Sequence, residues 1–240
     1  MPRTLTRRLP ALLIAACAAC LAGPAAADGL GRWQSSFEAF EAADRARAPM
    51  PGGVVFVGSS SIRLWDGLER QFDLADKGSI IKRGFGGSLM SDCRAHVARL
   101  VLPYKPRLVI VYAGDNDLAE GRTPAQVRDD FAGFVKAVHD AQPDTRIAYV
   151  SIKPSPLRAA LLPRVREANG LIAEFAGRTA GLAYIDIFTP MLDASGQPRG
   201  DLYGSDSLHL NAAGYALWQR VIAPYLAPAT SAHGAVVAAR

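Results

Sequence analysis

Short apolar runs alternate along this chain with longer stretches in which apolar residues recur every three or four positions. The runs Gly53–Val57, Ile80–Arg83, Leu108–Tyr112, Ile147–Ser151 and Ala183–Ile187 are mostly β-branched or aromatic. They read as strands buried on both faces. Between them, Pro124–Ala141 places Val127, Phe131, Phe134, Val135 and Val138 on one side at helical spacing, with Thr123 as N-cap and Pro124 at the first helical position. Leu161–Thr179 and Ala212–Leu226 read the same way. Strands alternating with helices predict parallel pairing through right-handed crossovers, hence an α/β fold: a three-layer α/β/α sandwich on a five-stranded parallel sheet. In such sheets ligands bind beyond the carboxyl ends of the strands, so the loops after the strands are where chemistry is expected.

The ends of the chain break this pattern. Arg3, Arg7 and Arg8 precede the apolar stretch Leu9–Leu21, and Ala25-Ala26-Ala27 supplies a small-residue cleavage site. That is the plan of a signal peptide over residues 1–27, and the stretch is short for a stable membrane span. The expected location is therefore the bacterial periplasm or the medium. Ile14-Ala15-Ala16-Cys17 offers a second route, a lipoprotein anchored through Cys17. Residues 28–227 then form one domain, and the Ala-rich tail 228–240 is expected to be loose. The leader holds 3 of the 27 basic residues and no acid, so the mature chain carries 24 against 22. A charge of about +2 without a basic run points to no nucleic-acid partner. Cys93 is the only cysteine past residue 27, which leaves no internal disulfide.

Most of the post-strand loops carry glycine with a polar group able to react, donate or titrate. After the first strand comes Gly58-Ser59-Ser60-Ser61, and after the second Gly84-Phe85-Gly86-Gly87-Ser88. Gly114-Asp115-Asn116-Asp117 follows the third, and Asp206-Ser207-Leu208-His209 lies past the fifth. A serine hydroxyl is a poor nucleophile without a base to take its proton. His96 and His139 fall in helical patterns and read as solvated surface positions, and His233 lies in the tail. Only His209 follows an aspartate by three residues on such a loop. Asp206 could fix the imidazole tautomer, or it could instead cap the helix starting near Asn211. Gly87 could present a backbone N–H and Asn116 a side-chain N–H₂ to an oxyanion.

These residues resemble the blocks of the SGNH hydrolase superfamily, the GDSL-type esterases and lipases. The resemblance places the family nucleophile at Ser60, the second-block glycine at Gly87 and the third-block asparagine at Asn116. Its fifth block is complete as Asp206 to His209. It implies a flavodoxin-like sheet in the order 2-1-3-4-5. Two departures stand out: Ser59 replaces the aspartate of the GDSL signature, and Lys82 lies near a position where relatives often carry asparagine. Ser61 is expected to cap a helix beginning at Ile62.

The implied activity is hydrolysis of carboxylic esters through an acyl-enzyme. Ser60 is the nucleophile, His209 the base and Asp206 its support, while Ser60, Gly87 and Asn116 form the oxyanion hole. No metal or organic cofactor is required. A metal-dependent phosphoesterase using Asp115, Asn116, Asp117, Asp206 and His209 is the main rival, and a non-catalytic glycan-binding relative is a third reading. Arg63 and Lys153 are candidate substrate-binding residues, whereas Trp65 reads equally as core. Short acyl esters, such as acetyl esters on glycans, are the expected substrates, and lysophospholipid or another lipid ester is the alternative.

Overall fold

The computed structural model describes residues 31–72, Leu74 and residues 79–227. The leader, Cys17, His233 and the tail lie outside the described residues. The strands are β1 (Val54–Gly58), β2 (Ile80–Gly84), β3 (Leu108–Tyr112), β4 (Arg146–Val150) and β5 (Leu182–Ile185), all parallel and in the order β2-β1-β3-β4-β5. The expected strands thus form, Leu108–Tyr112 to its ends and the others with ends shifted by at most two residues.

Alternation along the strands builds two cores. Val55, Val57, Val109 and Val111 face one cluster with Phe131, Phe134 and Val138 of the helix α6 (Pro124–Ala141) and Val165 and Ile172 of α7 (Leu162–Gly177). Val54, Phe56, Leu108 and Ile110 face the other, with Leu217, Trp218 and Ile222 of α8 (Ala212–Ile222). The central strands β1 and β3 are buried at every position, which is why their sequences are apolar throughout rather than alternating. The helix α6 spans the expected residues because its start is doubly marked. Thr123 Oγ1 accepts from Gln126 N (3.2 Å), Gln126 Oε1 accepts from Thr123 N (2.8 Å), and Pro124 supplies the first turn.

An additional helix, α1 (Gln34–Ala46), covers the first core ahead of β1. Trp33 and Phe37 enter that core, and His96, between the short helices α3 (Met90–Ala95) and α4 (Val97–Leu100), packs against both, with ring centroids 6.5 and 4.8 Å away. His96 is therefore a half-buried packing residue rather than a solvated one, and burial pushes its imidazole below the ordinary value. At the other end of α1, Asp44 pairs with Arg83 of β2 and accepts from Tyr104 Oη (2.6 Å).

Cys93 is fully buried, and burial pushes its thiol far above the ordinary value. In the chain from Asp28 onward, Ellman's reagent is expected to find no reactive thiol in the native state and one equivalent in guanidinium. Immediate reaction in buffer would mean that the α1 side of the core opens readily.

Candidate active site

Register sets the site. Gly58 pairs with Gly84 and with Tyr112, so β1, β2 and β3 end level and their loops leave side by side. Gly58 has φ +150°, and a Cβ there would collide with the Tyr112 carbonyl, so only glycine lets the chain leave β1 beside β3. A short helix, α2 (Ser60–Arg63), follows at once, with Ser59 as N-cap residue. The helix thus begins two residues earlier than the sequence pattern implied. Ser61 does not cap it: its side chain is buried and its carbonyl accepts from Tyr215 Oη (3.0 Å).

Ser60 is the serine of the three that reaches the histidine. Its Oγ lies 3.0 Å from His209 Nε2, across 149 residues of sequence. His209 Nδ1 lies 2.6 Å from Asp206 Oδ2. The other Asp206 oxygen accepts the backbone N–H groups of Leu208 (3.0 Å) and His209 (2.9 Å). Those N–H groups, and after them the His209 ring, hold the Asp206 carboxyl well below the usual carboxylate range. Asp206 does not cap α8; Asn211 does, accepting from Gly214 N (3.1 Å). The two roles open to Asp206 in the sequence are thereby separated.

The candidate donors border the same depression. The N–H of Ser60 opens α2 and has no acceptor within its own helix. Gly87 has φ +77° in the turn after β2. Trp33 Nε1 donates to Gly86 O (2.9 Å), so the residue before α1 pins this glycine turn. Asn116 lies in the short helix α5 (Asp115–Ala119); its Oδ1 accepts from Arg158 (3.2 Å) and its Nδ2 donates to Ser88 O (3.1 Å). These two bonds fix which end of the amide is nitrogen and leave one N–H for a further acceptor. Ser60, Gly87, Asn116 and His209 line one open depression of about 490 Å³. A larger cleft of about 640 Å³ runs along β2 between Met50 and Arg83 and contains none of these residues.

Of the two candidate substrate contacts, Arg63 borders the depression and Lys153 does not. Lys153 is buried, paired with Asp115, which Arg158 also contacts at 2.7 Å. Burial pushes Asp115 upward, but the two cations outweigh it and hold the carboxyl below its ordinary value. Asp117 also points away, accepting from Met90 N (3.0 Å), and burial pushes it up to about 6. The acids of the third loop are thus engaged with Lys153, Arg158 and Met90. Among the described residues no three His, Cys, Asp or Glu side chains form a group that could hold a metal ion. Lys82 donates to Trp65 O (3.1 Å), and Trp65 itself is core. Arg32 also borders the depression, a residue that sequence reasoning did not single out. The Trp33, Phe37, Phe40 spacing of α1 was the signal that could have brought this segment to the site.

A parallel five-stranded α/β sandwich with a serine, histidine and aspartate in line at its strand ends is the architecture of the SGNH hydrolases. The GDSL-like Lipase/Acylhydrolase family model matches residues 53–217, and the chain belongs to that family. It is 28% identical over 195 residues to the platelet-activating factor acetylhydrolase IB subunit alpha1 of Homo sapiens, covering 78% of this chain and 79% of that one. Among solved structures, a GDSL-like lipase from Bacteroides thetaiotaomicron superposes with a TM-score of 0.65 at 19% identity, covering 79% of this chain and 96% of that one. An acetylxylan esterase from Geobacillus stearothermophilus, solved as a catalytic mutant, gives 0.60 at 12% identity, over 75% and 96%.

Proposed function

We propose that this acylhydrolase is a serine esterase that cleaves short-acyl carboxylic esters, acetyl esters of glycans foremost, through an acyl-enzyme on Ser60. The observation that carries the reading is the unbroken relay from Ser60 Oγ to His209 Nε2 and from His209 Nδ1 to Asp206. His209 takes the Ser60 proton as Oγ attacks the ester carbonyl, and Asp206 supports the imidazolium. The Ser60 and Gly87 N–H groups and the Asn116 amide hold the oxyanion. Collapse expels the alcohol, which takes the proton from His209 Nε2. Water, deprotonated by His209, then attacks the acyl carbonyl and restores Ser60. Every step uses groups of this chain, with no resident cofactor.

Short acyl groups fit the open depression, in which Trp33 and Leu208 are the apolar side chains at the border. The names of two similar proteins, an acetylhydrolase and an acetylxylan esterase, point the same way. Export to the periplasm or medium belongs to this reading and rests on the Arg3, Arg7, Arg8 leader and its Ala25–Ala27 site, with Cys17 lipidation as the other route.

The test is hydrolysis of p-nitrophenyl acetate and octanoate by residues 28–240, with and without EDTA, beside acetate release from an acetylated xylo-oligosaccharide. The expected result is kcat/KM at least about tenfold higher for the acetate ester and unaffected by EDTA, with acetate released from the glycan. Preference for octanoate would move the substrate to lipid esters. Activity lost to EDTA would replace the serine mechanism by a metal one.

A further inference from the structure

The depression around Ser60 is bordered by Arg32 and Arg63, and among the described residues no carboxylate lines it. Arg63 is exposed and stands three residues after Ser60 in α2, so it projects from the same side of that helix. Both cations lie on the glycine turn that borders the proposed oxyanion hole. A Cβ built on Gly86 would come within 2.7 Å of Arg63 Nε, and one on Gly87 within 2.8 Å of Arg32 Nη2. Neither arginine forms an ion pair with a described residue.

Structural duties account for little of this. Arg32 lies over the Trp33 ring at 4.8 Å and reaches Gly87 O at only 3.4 Å, while Trp33 already anchors the turn through the shorter bond to Gly86 O. Asp92, an acid whose charge Arg32 feels, has one carboxylate oxygen engaged by Leu89 N–H (2.8 Å). The Arg63 guanidinium makes no side-chain hydrogen bond among the described residues. An open site with two guanidiniums outside any ion pair attracts anions, and guanidinium forks match carboxylate and phosphate geometry.

We propose that Arg32 and Arg63 select esters that carry an anionic group, a carboxylate or a phosphate, close to the scissile carbonyl. The proposal rests on the esterase reading of Ser60 and His209 and names its substrate class. Acetylated acidic sugars and acetylated phosphate-bearing alcohols share this chemistry. The neutral acetate ester is a substrate in this view, and the anionic one is the better.

The experiment compares phenyl acetate with 3-acetoxybenzoate and 3-acetoxyphenyl phosphate, each kcat/KM being divided by the ester's own hydroxide-catalysed rate. The expected result is a normalised preference of about tenfold for an anionic ester at low salt, shrinking as salt is added. In Arg32→Gln and Arg63→Gln the preference falls, and in the double variant it approaches one. Whichever anionic ester gains more identifies carboxylate or phosphate as the group read. A normalised preference at or below one in the unaltered protein, or one that neither variant lowers, overturns the proposal. Failure to hydrolyse any of the three esters would sink the esterase reading instead. Binding to Ser60→Ala by calorimetry then decides the charge question separately. Tighter binding of 3-acetoxybenzoate or of 3-acetoxyphenyl phosphate than of phenyl acetate supports the proposal, and equal binding of all three overturns it.

Discussion

Replacing Ser60 by alanine is expected to lower kcat for p-nitrophenyl acetate by about 10⁶-fold, with the fold intact. Ser60 supplies the only hydroxyl of Ser59-Ser60-Ser61 within reach of His209, at 3.0 Å, since Ser59 and Ser61 are buried. Ser59 N donates to Tyr112 O (3.1 Å), which ties the residue before Ser60 to the end of β3. His209→Ala is expected to cost as much, and the double variant little more than either single one, because the two act as one unit. Steady-state kinetics on the three variants checks this. Additive losses would mean that Ser60 and His209 act in separate steps. Ser61→Ala, if it unfolds the chain or leaves activity in place, is consistent with a buried structural serine.

Asp206→Asn is the second large effect, about 10⁴-fold in kcat. Asp206 Oδ1 holds the loop by accepting from Leu208 and His209 N–H, and Oδ2 accepts from His209 Nδ1–H. Asparagine keeps the first set with its carbonyl oxygen and presents N–H₂ to Nδ1. The ring then has to accept at Nδ1, so the proton moves to Nε2, the nitrogen that must take it from Ser60. The carboxylate itself stays ionised over the working range, because its pKa is depressed by the same backbone donors. The thermal midpoint is therefore expected to change little while kcat collapses. A loss under tenfold would show that the loop alone orients His209.

Much of this was legible in the sequence, for identifiable reasons. The strands announce themselves because both faces are covered, as at Val54–Gly58, where every residue is buried. The helix Pro124–Ala141 was legible to its ends because a capping box and a proline write its start locally. The four glycine and polar blocks were legible because level strand ends bring loops together in chain order. What failed depended on distant contacts. Nothing near Lys153 says that Asp115, 38 residues back, draws it into the interior. His96 reads as a surface position unless α1, some 50 to 60 residues earlier, is known to lie over it. Arg32 was missed for the same reason: it reaches the site only because Trp33 bonds to Gly86 O. Ser61 was misassigned locally, since a strand ending in Gly58 lets the helix start at Ser60 at once.

The central claim is that Ser60 carries the acyl group. Rapid acid quench of the protein with p-nitrophenyl acetate, followed by peptide mapping with fragmentation, tests it most directly. One acetyl group on Ser60, absent from His209→Ala and from Ser60→Ala, is the result this account predicts. Turnover by a folded protein that places the acetyl group on another residue, or that persists undiminished in Ser60→Ala, would contradict it.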